Sequence, residues 1–249
     1  MWLLVSDLDG TLLDHDDWAY ESTTRFAEFV EAHRDELAVI YNSSRFVASQ
    51  LDSVEHTPLP EPDGIIGGMG TEFVAVRKGE WAGVAEAYLA SLDRPWTGEQ
   101  VREVVAGLLP GAGGVEVQAE EHQSEHKSSF YLRDAGEREL EAIRGGLASA
   151  GMDCDVIYSS NRDLDVLPAG VSKASATVHV AEALGFGMEN LITSGDSGND
   201  TAMLTCGGRA VVVANHQPEL AGLEGDRVYR AAGRAADGVI EGLGHWMGF

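Results

Sequence analysis

Two aspartates directly follow an apolar run at the start of the chain, where residues 2–11 read Trp-Leu-Leu-Val-Ser-Asp-Leu-Asp-Gly-Thr. The apolar run predicts a strand that is buried on both faces, as strands of parallel sheets are. Placing the carboxylates of Asp7 and Asp9 at its end is costly unless a cation or a proton lies nearby. Mg²⁺ prefers such hard oxygen ligands, so the motif indicates a metal site. A solvated polar turn is the alternative interpretation.

Strand-like and helical segments alternate in both the first and the last third of the chain. Residues 22–33 carry apolar side chains at helical spacing, and further buried strands are predicted at 37–41, 191–194 and 210–213. Such alternation is typical of an α/β fold, in which helices cover both faces of a parallel sheet. We therefore predict a three-layer, Rossmann-like core.

The middle of the chain has a different pattern, which predicts an inserted α+β domain. Alternating, half-exposed strands are predicted there at 113–119, 128–132 and 154–158, and helices at 85–92, 98–109 and 137–150. We predict that residues 1–80 and 162–249 form the core domain and that residues 81–161 form the insert.

Composition limits the classes of partner. The formal net charge of −24 repels nucleic acid and anionic membrane surfaces. No apolar window reaches the roughly 18 residues that span a bilayer, and no basic leader precedes the first strand, so we expect a cytoplasmic protein. We also expect it to be a monomer. The two cysteines lack metal-type spacing. The five tryptophans share no spacing either, and we expect them to pack in the core or in interfaces.

A second acidic cluster follows a predicted strand at residues 195–201, which read Gly-Asp-Ser-Gly-Asn-Asp-Thr. The carboxyl ends of parallel strands meet at one edge of the sheet, so Asp196 and Asp200 are predicted to lie near Asp7 and Asp9. An EF-hand calcium loop is the competing interpretation. Gly207, however, occupies the position where that loop needs a glutamate.

Two shorter elements could bind a phosphate at the same edge. Lys173 begins a predicted helix, where its charge opposes the helix dipole unless an anion is bound there. Ser43 follows the strand at 37–41, and its hydroxyl and the neighbouring backbone N–H groups could hold phosphate oxygens. A surface lysine and a simple helix N-cap at Ser43 or Ser44 are the alternatives.

Together these clusters resemble the four motifs of the haloacid dehalogenase superfamily. Further stretches resemble the sucrose-6-phosphate phosphatases; they lie at 6–17, 68–72, 126–131, 163–168 and 195–200. Two adjacent positions depart from that family, which usually has threonine and then glycine before Arg45. Ser43 keeps the hydroxyl, but Ser44 adds a side chain beside the phosphate loop.

The resemblance implies a Mg²⁺-dependent phosphatase that passes through an aspartyl-phosphate. The resemblance implies that Asp7 is the nucleophile, that Asp9 is the general acid and base, and that Ser43 and Lys173 bind the phosphoryl oxygens. The implied metal site comprises Asp7, Asp9, Asp196 and Asp200. The insert then becomes a cap that selects the substrate, with sugar contacts expected at Gln123, His126, Lys127, Asp163 and Asp165.

Several functions fit this resemblance. The leading expectation is hydrolysis of sucrose-6-phosphate to sucrose and phosphate. Mannosylfructose-phosphate and mannosyl-3-phosphoglycerate phosphatases are the nearest enzymatic alternatives. A non-catalytic domain that binds a sugar-phosphate enzyme belongs to a different class, and sucrose-phosphate synthase is the protein partner that the resemblance suggests. An inactive copy should have lost motif acids, whereas here Asp7, Asp9, Asp196 and Asp200 are all present.

Overall fold

The chain folds into two compact units in the computed structural model, which describes residues 1–77, 79–108, 114–159 and 161–249. The first, called the core unit below, comprises residues 1–89 and 173–249. The second, called the inserted unit, comprises residues 90–172.

Strands and helices alternate along both parts of the core unit. The first part contains β1 (Trp2–Ser6), α1 (Glu21–Ala32), β2 (Leu37–Asn42), α2 (Val47–His56), β3 (Gly64–Gly67), β4 (Glu72–Ala75) and α3 (Glu80–Ala90). The inserted unit then contains α4 (Gly98–Leu108), β5 (Glu116–Val117), β6 (Ser128–Tyr131), α5 (Glu137–Ser149), β7 (Cys154–Ser159) and β8 (Asp163–Pro168). The chain returns to the core unit with α6 (Lys173–Ala183), β9 (Leu191–Gly195), α7 (Thr201–Leu204), β10 (Arg209–Val212), β11 (Val228–Arg230) and α8 (Ala235–Met247).

The core unit is built around a seven-stranded sheet in the order β11-β10-β9-β1-β2-β3-β4. All neighbouring strands are parallel except β3 and β4. Side chains of β10 alternate between two apolar clusters: Val211 packs with Val239 and Leu243 of α8, whereas Ala210 and Val212 pack with Leu204 of α7. Helices therefore cover both faces, which confirms the predicted three-layer α/β core.

The inserted unit has an antiparallel sheet in the order β5-β6-β8-β7. One face of this sheet is apolar, because Phe130 of β6 and Leu164 of β8 pack with Val105 of α4 and Ile143 of α5. This arrangement confirms the α+β character predicted for the insert.

The inserted unit does not have the limits 81–161 that the sequence suggested. α3 begins in the core unit, and β8 pairs with β6 and β7, although residues from 162 onward were assigned to the core domain. The assignment of residues 81–161 as a functional cap stays a prediction. Parts of the helix predicted at 98–109 and of the strand predicted at 113–119 lie outside the described residues.

Helix α8 was not predicted, and its glycines explain why. A helix containing three glycines has poor intrinsic propensity. Here the glycines serve packing instead: a Cβ on Gly242 would lie 2.3 Å from Val211, so only glycine lets α8 approach β10 this closely. Among the described residues, no helix has both the length and the apolar character that crossing a bilayer requires.

Candidate active site

Three polar segments leave the core sheet at one edge. The register places Ser6 of β1 opposite Tyr41 of β2 and opposite Ser194 of β9. Because these strands are parallel, the residues that follow them emerge on the same side of the sheet. The three segments begin at Asp7 after β1, at Ser43 after β2 and at Asp196 after β9.

Lys173 lies buried among carboxylates at this edge. It is the first residue of α6 and is only 1% exposed, so the alternative of a surface lysine is wrong. Its Nζ donates hydrogen bonds to Asp7 Oδ1 at 2.6 Å and to Asp200 Oδ1 at 2.8 Å. The two carboxylates offset an ammonium that the helix dipole alone would destabilise.

Asp7 is held at both carboxylate oxygens. Its Oδ1 accepts from Lys173, and its Oδ2 accepts from the Thr11 hydroxyl at 3.1 Å. Its backbone N–H donates to the Ser194 carbonyl, and its carbonyl accepts from the Ser6 hydroxyl. The side chain is 5% exposed. Asp7 therefore presents a carboxylate of fixed orientation.

Asp200 organises the second acidic segment. While its Oδ1 accepts from Lys173, its Oδ2 accepts the backbone N–H groups of Asp196 at 3.1 Å and Ser197 at 3.2 Å. Gly195 permits this close contact, because a Cβ there would lie 2.5 Å from the Asp200 Cβ. The loop after β9 is thus fixed by a fully buried side chain.

The ionisation of these acids is strongly coupled. Burial raises the pKa of Asp7 to about 8, with Lys173 opposing the shift and Asp200 adding to it. Burial and then the charge of Asp200 raise the pKa of Asp196 to about 6. Burial lowers the pKa of Lys173, but Asp200 and Asp7 outweigh it and the net shift is upward. Lys173 is therefore a permanent cation at neutral pH.

The arrangement fits a divalent cation. Oxygen atoms of Asp7, Asp196 and Asp200 lie within 4.8 Å of one another, and all three residues are buried. Three buried acids lie around one buried ammonium here, and their ionisation leaves an excess of negative charge that a hard cation would offset. Gly10 keeps the space open: it has φ +85°, and a Cβ on it would lie 2.4 Å from Asp196 Oδ2.

Asp9 differs from the buried acids. Its side chain is 39% exposed, and its Oδ1 lies 3.4 Å from the Arg45 guanidinium. Arg45 is anchored in turn by two hydrogen bonds to Ser49 of α2. Asp9 therefore faces solvent beside a positive charge, where a leaving group could reach it.

Ser43 lies in a loop that the β3–β4 turn holds in place. It is 1% exposed, and its Oγ accepts the backbone N–H of Arg45 at 3.1 Å. The N-cap interpretation of Ser43 and Ser44 is wrong, because α2 begins at Val47. The Val47 N–H donates instead to Glu72 Oε2 at 2.7 Å. A glutamate from β4 thus replaces the expected local cap.

Sequence reasoning gave no role to two asparagines at this edge. Asn199 Oδ1 lies 3.2 Å from Lys173 Nζ. Asn215 donates through Nδ2 to the Gly10 carbonyl at 2.7 Å and accepts the Ala235 N–H at Oδ1. Asn215 follows β10 at the same edge as the acids, so its position after an apolar strand was the signal that could have identified it.

The sugar-contacting residues predicted in the insert lie on and beside β6 and β8. Lys127 Nζ lies 3.3 Å from Asp165 Oδ1, which also accepts the Ser129 hydroxyl at 2.6 Å. Asp163 pairs with Arg162 and accepts from Gln118. These side chains alternate with Phe130 and Leu164, so they occupy the face opposite the apolar cluster. The sheet thus has one polar face.

Two of those predicted residues have other surroundings. Gln123 donates to the Gln118 and Ser129 carbonyls and accepts the Ser129 N–H, so its amide is engaged at both ends. It supports the strand geometry around Ser129. His126 is half-buried next to Lys127.

Comparisons with known proteins agree on one family. The model of the sucrose-6F-phosphate phosphohydrolase family matches residues 1–247. A mannosylfructose-phosphate phosphatase of Agrobacterium fabrum is 39% identical, covering 98% of this chain and 96% of that protein. Sucrose-phosphatase 2 of Nicotiana tabacum is 30% identical across 98% of this chain, which spans 58% of the length of the tobacco protein.

The fold has a close counterpart among solved structures. The sucrose-phosphatase of Synechocystis sp. PCC6803, solved in complex with sucrose and phosphate, superposes with a TM-score of 0.84 over 99% of this chain and 98% of that one, at 24% identity. With the family match over nearly the whole sequence, the chain belongs to the sucrose-6F-phosphate phosphohydrolase family of haloacid dehalogenase-type phosphatases and is a phosphoric monoester hydrolase.

Proposed function

We propose that this chain hydrolyses sucrose-6-phosphate to sucrose and phosphate in a Mg²⁺-dependent reaction, with Asp7 as the nucleophile. The observation that carries the proposal is the buried contact of Lys173 with Asp7 and Asp200, next to a third acid, Asp196, at the carboxyl edge of the sheet. A buried lysine that orients a carboxylate beside a cation site is well suited to phosphoryl transfer.

The cation would be held by Asp7 and Asp196, with the backbone carbonyl of Asp9 as a further oxygen and Asp200 in support. When bound, Mg²⁺ would polarise the phosphoryl oxygens and offset repulsion between the anionic nucleophile and the anionic phosphate. The donor set consists of hard oxygens, which suits Mg²⁺ rather than a thiophilic metal.

Asp7 would attack phosphorus, forming an O–P bond as the bond from phosphorus to the sugar oxygen breaks. Its fixed orientation reduces the entropy lost on reaching the transition state, because Lys173 and Thr11 already hold both oxygens. Lys173 and Ser43 would bind the transferring phosphoryl oxygens. The resulting acyl phosphate on Asp7 splits one hydrolysis into two displacement steps.

Asp9 would give a proton to the departing sugar oxygen and then accept one from the water that attacks the aspartyl-phosphate. Its greater exposure supports this role, because it can meet both the leaving group and water, whereas Asp7 cannot. Arg45 beside it would help to orient its carboxylate.

The proposal includes sugar recognition by the polar face of the inserted sheet. Lys127 and Asp165 form a largely buried ion pair on this face, and an ammonium and a carboxylate are groups that could bind sugar hydroxyls. Asp163 and His126 are further hydrogen-bonding groups in this region. Gln123 would act indirectly, by holding Ser129 and its neighbours.

A second substrate has specific support. The Agrobacterium relative, at 39% identity over nearly the full length of both chains, is named as a mannosylfructose-phosphate phosphatase. Both candidate substrates are phosphorylated, fructose-containing disaccharides, so the chemistry at Asp7 would be the same for either.

Phosphate release from a substrate panel tests the proposal. The panel contains sucrose-6-phosphate, mannosylfructose-phosphate and mannosyl-3-phosphoglycerate, each assayed with Mg²⁺ and with EDTA. We expect Mg²⁺-dependent release with the highest kcat/KM for sucrose-6-phosphate. Preference for mannosylfructose-phosphate would replace the substrate and keep the mechanism. Equal release in EDTA would refute the metal-dependent mechanism.

A further inference from the structure

A groove of about 250 Å³ opens beside Asp9 within the core unit. One wall is the segment of residues 13–20, which contributes Trp18 and Tyr20; the other is α2 with the residue that follows it, which contributes Ser53 and Thr57. We propose that this groove binds the leaving-group sugar ring of the substrate and that Trp18 determines specificity by stacking on that ring. This inference rests on the proposed hydrolysis of a sugar phosphate.

The groove is continuous with the reaction site. Asp9 and Arg45 line it, and Asp9 is the group proposed to protonate the leaving sugar oxygen. A ring attached to that oxygen must begin at Asp9. The volume lies just below the roughly 300–1,000 Å³ of pockets for drug-sized molecules, so it suits a single ring.

Trp18 is unusual in its exposure. Its side chain is 88% exposed, against the expectation from sequence that the tryptophans pack in the core or in interfaces. An indole left in water forgoes the large burial energy of an aromatic side chain. A pyranose or furanose ring has an apolar face of C–H groups, which complements the electron-rich face of an indole.

The segment that carries Trp18 is pinned on both sides. Arg234 donates to both oxygens of Asp14 and to Asp16. Asp17 Oδ2 accepts the N–H and the hydroxyl of Ser22, each at 2.9 Å.

Tyr20 ends this segment at φ 54°, a left-handed conformation that is strained for a tyrosine. These contacts fix the backbone on both sides of Trp18 before a ligand arrives, which lowers the entropic cost of binding.

The charged side chains that line the groove indicate which class of ligand it can bind. Three carboxylates line the groove, those of Asp9, Asp14 and Asp17, and two cations lie against them, Arg45 beside Asp9 and Arg234 on Asp14, so negative charge remains in excess. A second anionic group, such as the carboxylate of a phosphoglycerate, would be repelled there. A neutral polyhydroxylated ring would not, and it can donate hydroxyl hydrogen bonds to carboxylate oxygens. The groove therefore favours disaccharide phosphates over mannosyl-3-phosphoglycerate.

The kinetic test replaces Trp18 by alanine. We expect KM for the preferred disaccharide phosphate to rise about five- to tenfold, the size of a lost aromatic contact. Trp18→Phe should retain most of the affinity. Phe249→Ala removes another exposed aromatic, 67% exposed and outside the groove, and should leave KM unchanged.

A binding test does not depend on turnover. Sucrose, which carries no phosphate and needs no metal to bind the groove, should change the tryptophan fluorescence of the unaltered protein in EDTA, and this change should be absent in Trp18→Phe. Equal KM values for Trp18→Ala and the unaltered protein, or an equal fluorescence change in Trp18→Phe, would refute the groove assignment. Absence of phosphatase activity in the unaltered protein would refute the proposed function instead, and the fluorescence result would still decide on the groove.

Discussion

Replacing Lys173 by methionine removes the ammonium that Asp7 and Asp200 share, while a side chain of similar length fills its place. Lys173 and Asp200 are each at most 1% exposed, so water cannot replace the lost hydrogen bonds. Removing one partner of a buried ion pair costs about 3–5 kcal/mol, because the other charge stays buried without compensation. For a chain of this size, each kcal/mol lowers Tm by about 2–4 °C. We therefore expect the Tm of the core unit, measured in EDTA, to fall by about 6–20 °C.

Urea denaturation followed by circular dichroism measures the loss of unfolding free energy. A loss below about 1 kcal/mol, as for a surface pair, would refute the conclusion that the ammonium is buried and paired. Asp200→Asn and the double variant complete the cycle. The double variant should lose less than the sum of the single losses, by at least about 1 kcal/mol, since each single change leaves a buried charge that the other removes.

Three further predictions concern the buried acids Asp7 and Asp196 and the Glu72 cap of α2. Asp7→Asn should lower phosphate release by at least about 1,000-fold with an unchanged circular dichroism spectrum, and undiminished activity would overturn the mechanism. Because the pKa values of Asp7 and Asp196 are raised to about 8 and about 6, the metal-free fold loses stability as pH rises from 4 toward 8. Mg²⁺ displaces those protons, so its stabilising shift in Tm should be larger at pH 8 than at pH 6, and a pH-independent shift would contradict this. Glu72→Ala should lower the unfolding free energy by about 1–2 kcal/mol and raise KM, because Glu72 caps α2 beside Ser43. Glu72→Gln keeps an oxygen that can accept the Val47 N–H, so it should change neither quantity. Equal losses in both variants would show that the hydrogen bond is not the cause.

The sequence was sufficient to place the acids because two simple rules combine there. Apolar runs identify buried parallel strands, and parallel strands deliver their carboxyl ends to one edge. Asp7 and Asp196 follow such runs, so their proximity needed no knowledge of the fold. The EF-hand alternative failed for the same reason, since a strand leads into that cluster.

Features that depend on tertiary contacts could not be predicted. Nothing in the local sequence shows that Lys173 is buried, that Asn215 reaches Gly10 across the edge, or that β8 joins the inserted sheet. Trp18 is the reverse case: its residue type favours burial, whereas the structure leaves its side chain 88% exposed. Such disagreements between local preference and structure often mark functional positions.

The charge balance of the site gives a physical reason for the proposed metal dependence. A protein with a formal net charge of −24 repels a phosphate dianion at long range, and the buried acids repel it at short range wherever they have lost their protons. Lys173 is already engaged by Asp7 and Asp200, so its ammonium alone cannot reverse the local sign. A divalent cation beside Asp196 would make the local charge favourable for phosphate. Phosphate binding should therefore strengthen with Mg²⁺ concentration, and titration calorimetry with inorganic phosphate at fixed Mg²⁺ levels measures that coupling. An affinity for phosphate that is equal with and without Mg²⁺ would show that another group supplies the positive charge.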